Sequence, residues 1–239
     1  MDVMPLLPRL HLLRFPVGQA YLWRDGDELT LIDAGPAGSG AAIAGAVAAL
    51  GRAAGAVRRV VLTHFHEDHA GGAGELAELT GAEVMAHRLE APVVRGEVPG
   101  PPPVFEDWER PLHEQAARLL PKGDFTRPAR VTELSDGDVL GFGGGATVLH
   151  VPGHTDGSVA LHLPCHGVLF TGDTVAASPL DGRVMPGVFN LDRDRTVAAF
   201  RRLADLDTEV ACFGHGDPVT GRAAEVLRRA ARAHDTPPD

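Results

Sequence analysis

Thr63-His64-Phe65-His66-Glu67-Asp68-His69-Ala70-Gly71 places three histidines and an aspartate within six residues, directly after the run Arg58-Arg59-Val60-Val61-Leu62. The run predicts a buried strand over residues 58–63. The polar cluster then falls at the strand's carboxyl end, where α/β proteins commonly place their chemistry, and a short loop can turn close-spaced side chains inward. Imidazoles beside a carboxylate form a donor set for a borderline divalent ion, zinc first, with iron and manganese also accepted. Core packing explains the cluster poorly, because side chains of this kind packed together without an ion leave like-charged or unsatisfied groups near one another.

Three more strand ends carry the same residue types. Pro152-Gly153-His154-Thr155 follows the strand at 147–151, Thr171-Gly172-Asp173-Thr174 follows 168–170, and Gly214-His215-Gly216 follows 210–213. Each offers one ligand beside a glycine, which lets the backbone turn sharply. Upstream, a strand at 29–33 ends in Asp33-Ala34-Gly35-Pro36.

Between these motifs the pattern alternates strand and helix, the order of a layered α/β protein. Strands are predicted at 10–15, 20–23 and 29–33, with a turn at 24–27. A helix is predicted over 38–54, with Ile43, Val47 and Leu50 on its buried face. A second helix at 71–79 closes at Gly81, and a strand follows at 82–86. Residues 92–128 hold eight prolines around one helix, 106–120, which carries Trp108. The segment reads as an excursion over the domain and a candidate lid, not a second domain. Strands at 146–151, 158–163 and 167–171, a helix at 195–206, a strand at 209–213 and a basic helix at 223–233 complete a single domain over 1–239. The tail, 234–239, is expected to fray.

Taken in order, Asp33, His64-Phe65-His66-Glu67-Asp68-His69, His154, Asp173 and His215 resemble the signature of the metallo-β-lactamase superfamily, over nearly the whole chain. The resemblance implies an α/β fold, a four-layer αββα sandwich with a dinuclear metal site at one edge of its two sheets. By that carry-over His64, His66 and His154 hold the first ion, Asp68, His69 and His215 the second, and Asp173 bridges them. Asp33 holds the histidine loop from outside the ligand set. Two divalent ions, zinc before iron or manganese, share a water whose pKa falls towards neutrality, and the bridging hydroxide attacks a carbonyl that one ion polarises. Asp68 and Asp173 are catalytic as ligands, with a second role in proton transfer.

Composition limits the partners. The 239 residues are 44% apolar, which excludes a disordered chain, and carry a formal charge of −10, which repels a phosphate backbone. A small-molecule substrate is expected, with no nucleic acid and no membrane; the oligomeric state is left open. The longest small-apolar run, 41–50, is too short to span a bilayer. Two cysteines, Cys165 and Cys212, and an amino terminus without signal-peptide character point to a reduced, cytoplasmic protein.

Departures from subfamily patterns narrow the chemistry. Position 173 is not the cysteine ligand of many β-lactamases, and 24 residues after His215 are too few for the helical domain with which glyoxalase II grips glutathione. A hydrolase of a small thioester, lactone or related carboxylic ester is the first expectation. The alternative is an iron enzyme resembling the persulfide dioxygenases, with one ion on His64, His154 and Asp173. The remaining histidines, His11, His87, His113, His150, His162, His166 and His234, lie outside the signature, with His87 read as a capping or packing residue. Cys165 reads as a surface turn, Cys212 as core and Asp156 as a turn residue.

Overall fold

The apolar alternation of the first thirty residues forms a meander. β1 (Asp2–Leu7), β2 (Leu10–Arg14), β3 (Gln19–Asp25) and β4 (Glu28–Ile32) pair antiparallel in sequence order. β1 is not apparent from the pattern, because Pro5 argues against a strand; it survives at the sheet edge, with a register shift between Pro5 and Leu7. β5 (Val57–Val61), β6 (Glu83–His87) and β7 (Thr132–Leu134) then add in parallel beside β4. The computed structural model describes residues 1–122 and 125–234, and it divides into two compact units. Unit 1 is Met1–Gly100 with Arg110–Leu134, and unit 2 is Pro101–Glu109 with Ser135–Asp239. Residues 235–239, most of the tail expected to fray, lie outside the described residues.

In unit 1 the crossovers between parallel strands are helical. α1 (Gly40–Ala49) buries Ile43, Ala46 and Val47, while Leu50, expected on that face, is the C-cap residue and is 38% exposed. α2 (Glu67–Ala70) is a single turn inside the histidine motif, followed by α3 (Ala73–Thr80), which Gly81 closes at φ 74°. Ser39 does not cap α1 with its side chain; the Glu75 carboxylate of α3 instead accepts from Gly40 N and Ala41 N. Those two bonds tie the two helices together over a core of Leu22, Leu31, Ile43, Val47, Val60 and Leu76. α4 (Ala91–Val94) follows β6. α5 (Glu109–Leu119) begins three residues later than expected, so exposed Trp108 precedes it.

Unit 2 contains β8 (Val139–Leu140), β9 (Ala146–His150), β10 (Val159–Leu163), β11 (Val168–Phe170), β14 (Val210–Cys212) and β15 (Val219–Thr220), with the separate hairpin β12 (Val175–Ala177) and β13 (Val184–Pro186). The sheet order is β15-β14-β11-β10-β9-β8, parallel only between β11 and β14. α6 (Arg193–Ala204) starts two residues before its expected position, because the Asp192 side chain accepts from Arg195 N and caps it. Its Phe200 and Leu203 pack with Leu227 of α7 (Ala223–Arg232) against Leu169, Ala211 and Phe213. Cys212 is buried, and burial pushes its thiol well above the usual range, whereas Cys165 is exposed; both are free. No helix among the described residues is long and apolar enough to cross a membrane.

Phe200 has no exposed surface, so truncation leaves a cavity at the centre of the unit 2 core. Phe200→Ala is expected to lower unfolding stability by about 3–5 kcal/mol in urea titration. A loss under about 1 kcal/mol would show that the core closes around the gap.

Candidate metal centre

The ligand-type side chains of unit 1 stand on the loop after β5 and in the turn α2, and a buried carboxylate anchors two of them, His69 directly and His64 through Thr63. Asp33 follows β4 with φ 61°, a left-handed conformation that costs a non-glycine residue energy, and it is 2% exposed. Its Oδ1 accepts from Thr63 N at 2.8 Å, the Thr63 hydroxyl lies 2.9 Å from Oδ2, and His69 Nδ1 lies 2.9 Å from Oδ2. A carboxylate only accepts, so both the hydroxyl and His69 Nδ1–H donate to it. With its proton so used, Thr63 Oγ1 accepts from His64 Nδ1–H at 3.0 Å. Both imidazoles are thereby held in the tautomer whose Nε2 carries the lone pair.

The same loop brings the rings together. His64 stacks edge-on to His66 at 4.7 Å between centroids and lies 4.2 Å from His69. His69 Nε2 is 3.5 Å from Asp68 Oδ2, so a lone pair faces a carboxylate, an arrangement that needs a proton or a cation between the two atoms. Gly18 backs onto Asp68: a Cβ there would stand 2.7 Å from Asp68 O, and its φ of 70° disfavours any side chain. Beside Asp68, Glu67 has its carboxyl raised above the ordinary value, by burial first and then by the Asp68 charge.

Unit 2 carries the other three ligand-type residues. His154 follows β9, Asp173 lies in a 3-10 turn after β11, and His215 follows β14. Asp173 Oδ2 stands 3.6 Å from His154 Nε2 and 3.2 Å from His215 Nε2, so one carboxylate oxygen meets two imidazole nitrogens. His154 is buried, whereas the His215 side chain is 36% exposed. Residues 187–192 lash two of these turns together: Leu191 N donates to His154 O, Asp192 N to Gly153 O and Gly187 N to Thr174 O. Gly187 packs against Asp173 so closely that a Cβ would collide with its carbonyl oxygen.

Segment 104–109 of the proline-rich excursion is tied to that same loop. Val104 N donates to Asn190 O, and Glu109, 4% exposed, accepts from Phe189 N at 3.1 Å and Glu106 N at 2.9 Å. Phe189 itself is held at φ 59° and meets Phe105 edge-on at 6.0 Å. The role of Glu109 is not legible in the sequence, because a single buried acceptor leaves no periodic trace there; Thr63 stands in the motif, but its bonds to Asp33 and His64 do not show in the pattern.

Within each unit the nitrogen and oxygen donors suit a borderline divalent ion. Outside the signature, His87 is buried and its Nδ1 accepts from Leu89 N at 3.4 Å, as a turn cap, and Asp156 pairs with Arg195.

These ligand-type residues stand in sequence order at successive strand ends, and the sequence model of the metallo-beta-lactamase superfamily matches residues 13–215. The chain belongs to that superfamily and has its α/β fold. It is 28% identical to the probable metallo-hydrolase YqjP of Bacillus subtilis, over 90% of this chain and 72% of that one. It is 35% identical to a hydroxyacylglutathione hydrolase of Gloeobacter violaceus, over 70% of this chain but only 57% of that protein. Among solved structures, a metallo-beta-lactamase family protein of Thermus thermophilus, TTHA1429, aligns at a TM-score of 0.67 with 27% identity, covering 96% of this chain and 79% of that one.

Replacing Asp33 tests the anchor. Asp33→Asn puts an amide donor where Thr63 and His69 need acceptors, and it is expected to weaken zinc retention by about 10–100-fold in chelator competition. Retention equal to the parent protein would show that the histidine loop holds itself.

Proposed function

We propose that this chain is a dinuclear metal-dependent hydrolase that cleaves a small thioester, lactone or related carboxylic ester. In this reading 1–239 works as one domain, His64, His66 and His154 hold one ion, Asp68, His69 and His215 hold the other, and Asp173 is shared. The observation that carries the reading is the single Asp173 oxygen facing His154 and His215, the two histidines assigned to different ions. A carboxylate placed between two imidazoles suits a bridge better than a one-ion site, which leaves His215 without a role. The names of the relatives, metallo-hydrolase and hydroxyacylglutathione hydrolase, favour hydrolysis over oxygen chemistry.

Divalent ions held there, zinc foremost, would supply a Lewis acid for the scissile carbonyl and acidify water near neutral pH. The chain's own residues do the rest. Asp33 and Thr63 keep His69 and His64 in the ligating tautomer, which also avoids reorganisation during the reaction. Asp68 and Asp173 are ligands whose second carboxylate oxygen can hold or pass a proton to the leaving group. A formal charge of −10 favours a small substrate over nucleic acid.

The test is a panel of acyl thioesters, lactones and simple esters presented to zinc-loaded protein. Turnover is expected on at least one bond class, and fully loaded protein inert to all three would overturn the reading. Asp173→Ala is expected to lower both zinc content and turnover by about tenfold or more, while His87→Ala keeps its metal. Full occupancy and activity in Asp173→Ala would remove the bridge.

A further inference from the structure

Glu90 is a buried carboxylate for which the proposed reaction has no use. It is 1% exposed, as deep as His64. Burying an ionised carboxylate costs several kcal/mol unless hydrogen bonds and charge compensate it, so its place needs a reason. Helix capping is not that reason. Glu90 occupies the N-cap position of α4, yet its side chain makes no capping bond to that helix. The carboxylate instead crosses to the histidine loop, where Oε2 accepts from Phe65 N at 2.8 Å.

Phe65 is the residue between His64 and His66. Its N–H belongs to the peptide that joins it to His64, so a fixed acceptor at this point sets the backbone from which both ligands project. The ring of Phe65 is fixed as well. Gly100 lies so close against it that a Cβ would collide with Cε2, and the ring meets His66 edge-on at 4.7 Å. Segment 90–100 therefore grips Phe65, the residue between the two histidines, at its amide and at its ring. Asp33 holds the loop through Thr63 and His69, which flank the pair, whereas Glu90 holds it between His64 and His66.

We propose that Glu90 is a positioning residue for the metal centre, setting the spacing of His64 and His66 through its bond to Phe65 N. The inference rests on the dinuclear reading, in which those two histidines serve one ion. Glu90 then acts on that ion selectively, and the reach of its oxygen matters more than its charge. Two conservative variants separate these properties. Glu90→Gln keeps an acceptor oxygen at the same distance and removes the charge. Glu90→Asp keeps the charge and withdraws the oxygen by about 1.5 Å, one C–C bond.

The experiment is chelator competition on zinc-loaded parent and variant proteins, with the cobalt-substituted absorption spectrum as a second readout of ligand geometry. Glu90→Asp is expected to weaken one of two zinc ions by about tenfold or more and to change the cobalt spectrum, while Glu90→Gln stays within about threefold of the parent. Loss in Glu90→Gln with retention in Glu90→Asp would overturn the proposal in favour of a charge effect. Lower thermal stability in both variants with unchanged zinc affinity and spectrum would overturn it in favour of a purely structural carboxylate. A parent protein that binds no zinc would remove the dinuclear reading and this inference together, whereas two tight zinc ions unaffected by either substitution would remove this inference alone.

Discussion

Asp33 leaves its strand with a left-handed backbone and a carboxylate that is almost fully buried, and the histidine loop is assembled on that carboxylate. It takes the Thr63 amide and hydroxyl and the His69 Nδ1 proton, and through the Thr63 hydroxyl it decides where the proton of His64 sits. Without a buried acceptor at this point, His64 and His69 could present either nitrogen, and a ligating set would be one arrangement among several. The strain at φ 61° is offset by these bonds and by those of the neighbouring backbone, Asp33 N to Val61 O and Ala34 N to His69 O. A short-range conformational cost thus becomes a defined set of imidazole tautomers.

In unit 2 the equivalent constraint is close backbone packing. His154, Asp173 and His215 sit at three strand ends, and a Cβ on Gly153, Gly187 or Gly216 would collide with Thr196 N, Asp173 O or Ala177 O. The turns therefore cannot be loosened by ordinary side-chain substitution at those positions. Gly153 and Gly216 also have positive φ, so they answer both a steric and a conformational demand.

Most of this is legible in the sequence, for physical reasons. Strands such as Val168–Phe170 and Val210–Cys212 are buried on both faces, so they read as continuous apolar runs, and the ligand types at their ends stand out against them. α6 starts earlier than its periodicity indicates because Asp192, an N-cap, lies before the apolar pattern begins. β1 escapes a sequence reading because Pro5 is tolerated only at a sheet edge, and edges are a property of the assembled sheet. Leu50 falls outside the buried face because helical periodicity does not announce that the helix has ended. Glu90 and Glu109 are invisible for a different reason: each acts through one hydrogen bond or a few of them, and nothing in a local pattern distinguishes a buried glutamate from a solvated one.

Metal content decides the central claim most directly. Plasma mass spectrometry on freshly purified protein is predicted to give about two divalent ions per chain, zinc foremost. A single iron per chain with no second ion would contradict the shared role of Asp173 and with it the hydrolase, and protein without metal that takes up none on addition of zinc would contradict the ligand assignment itself.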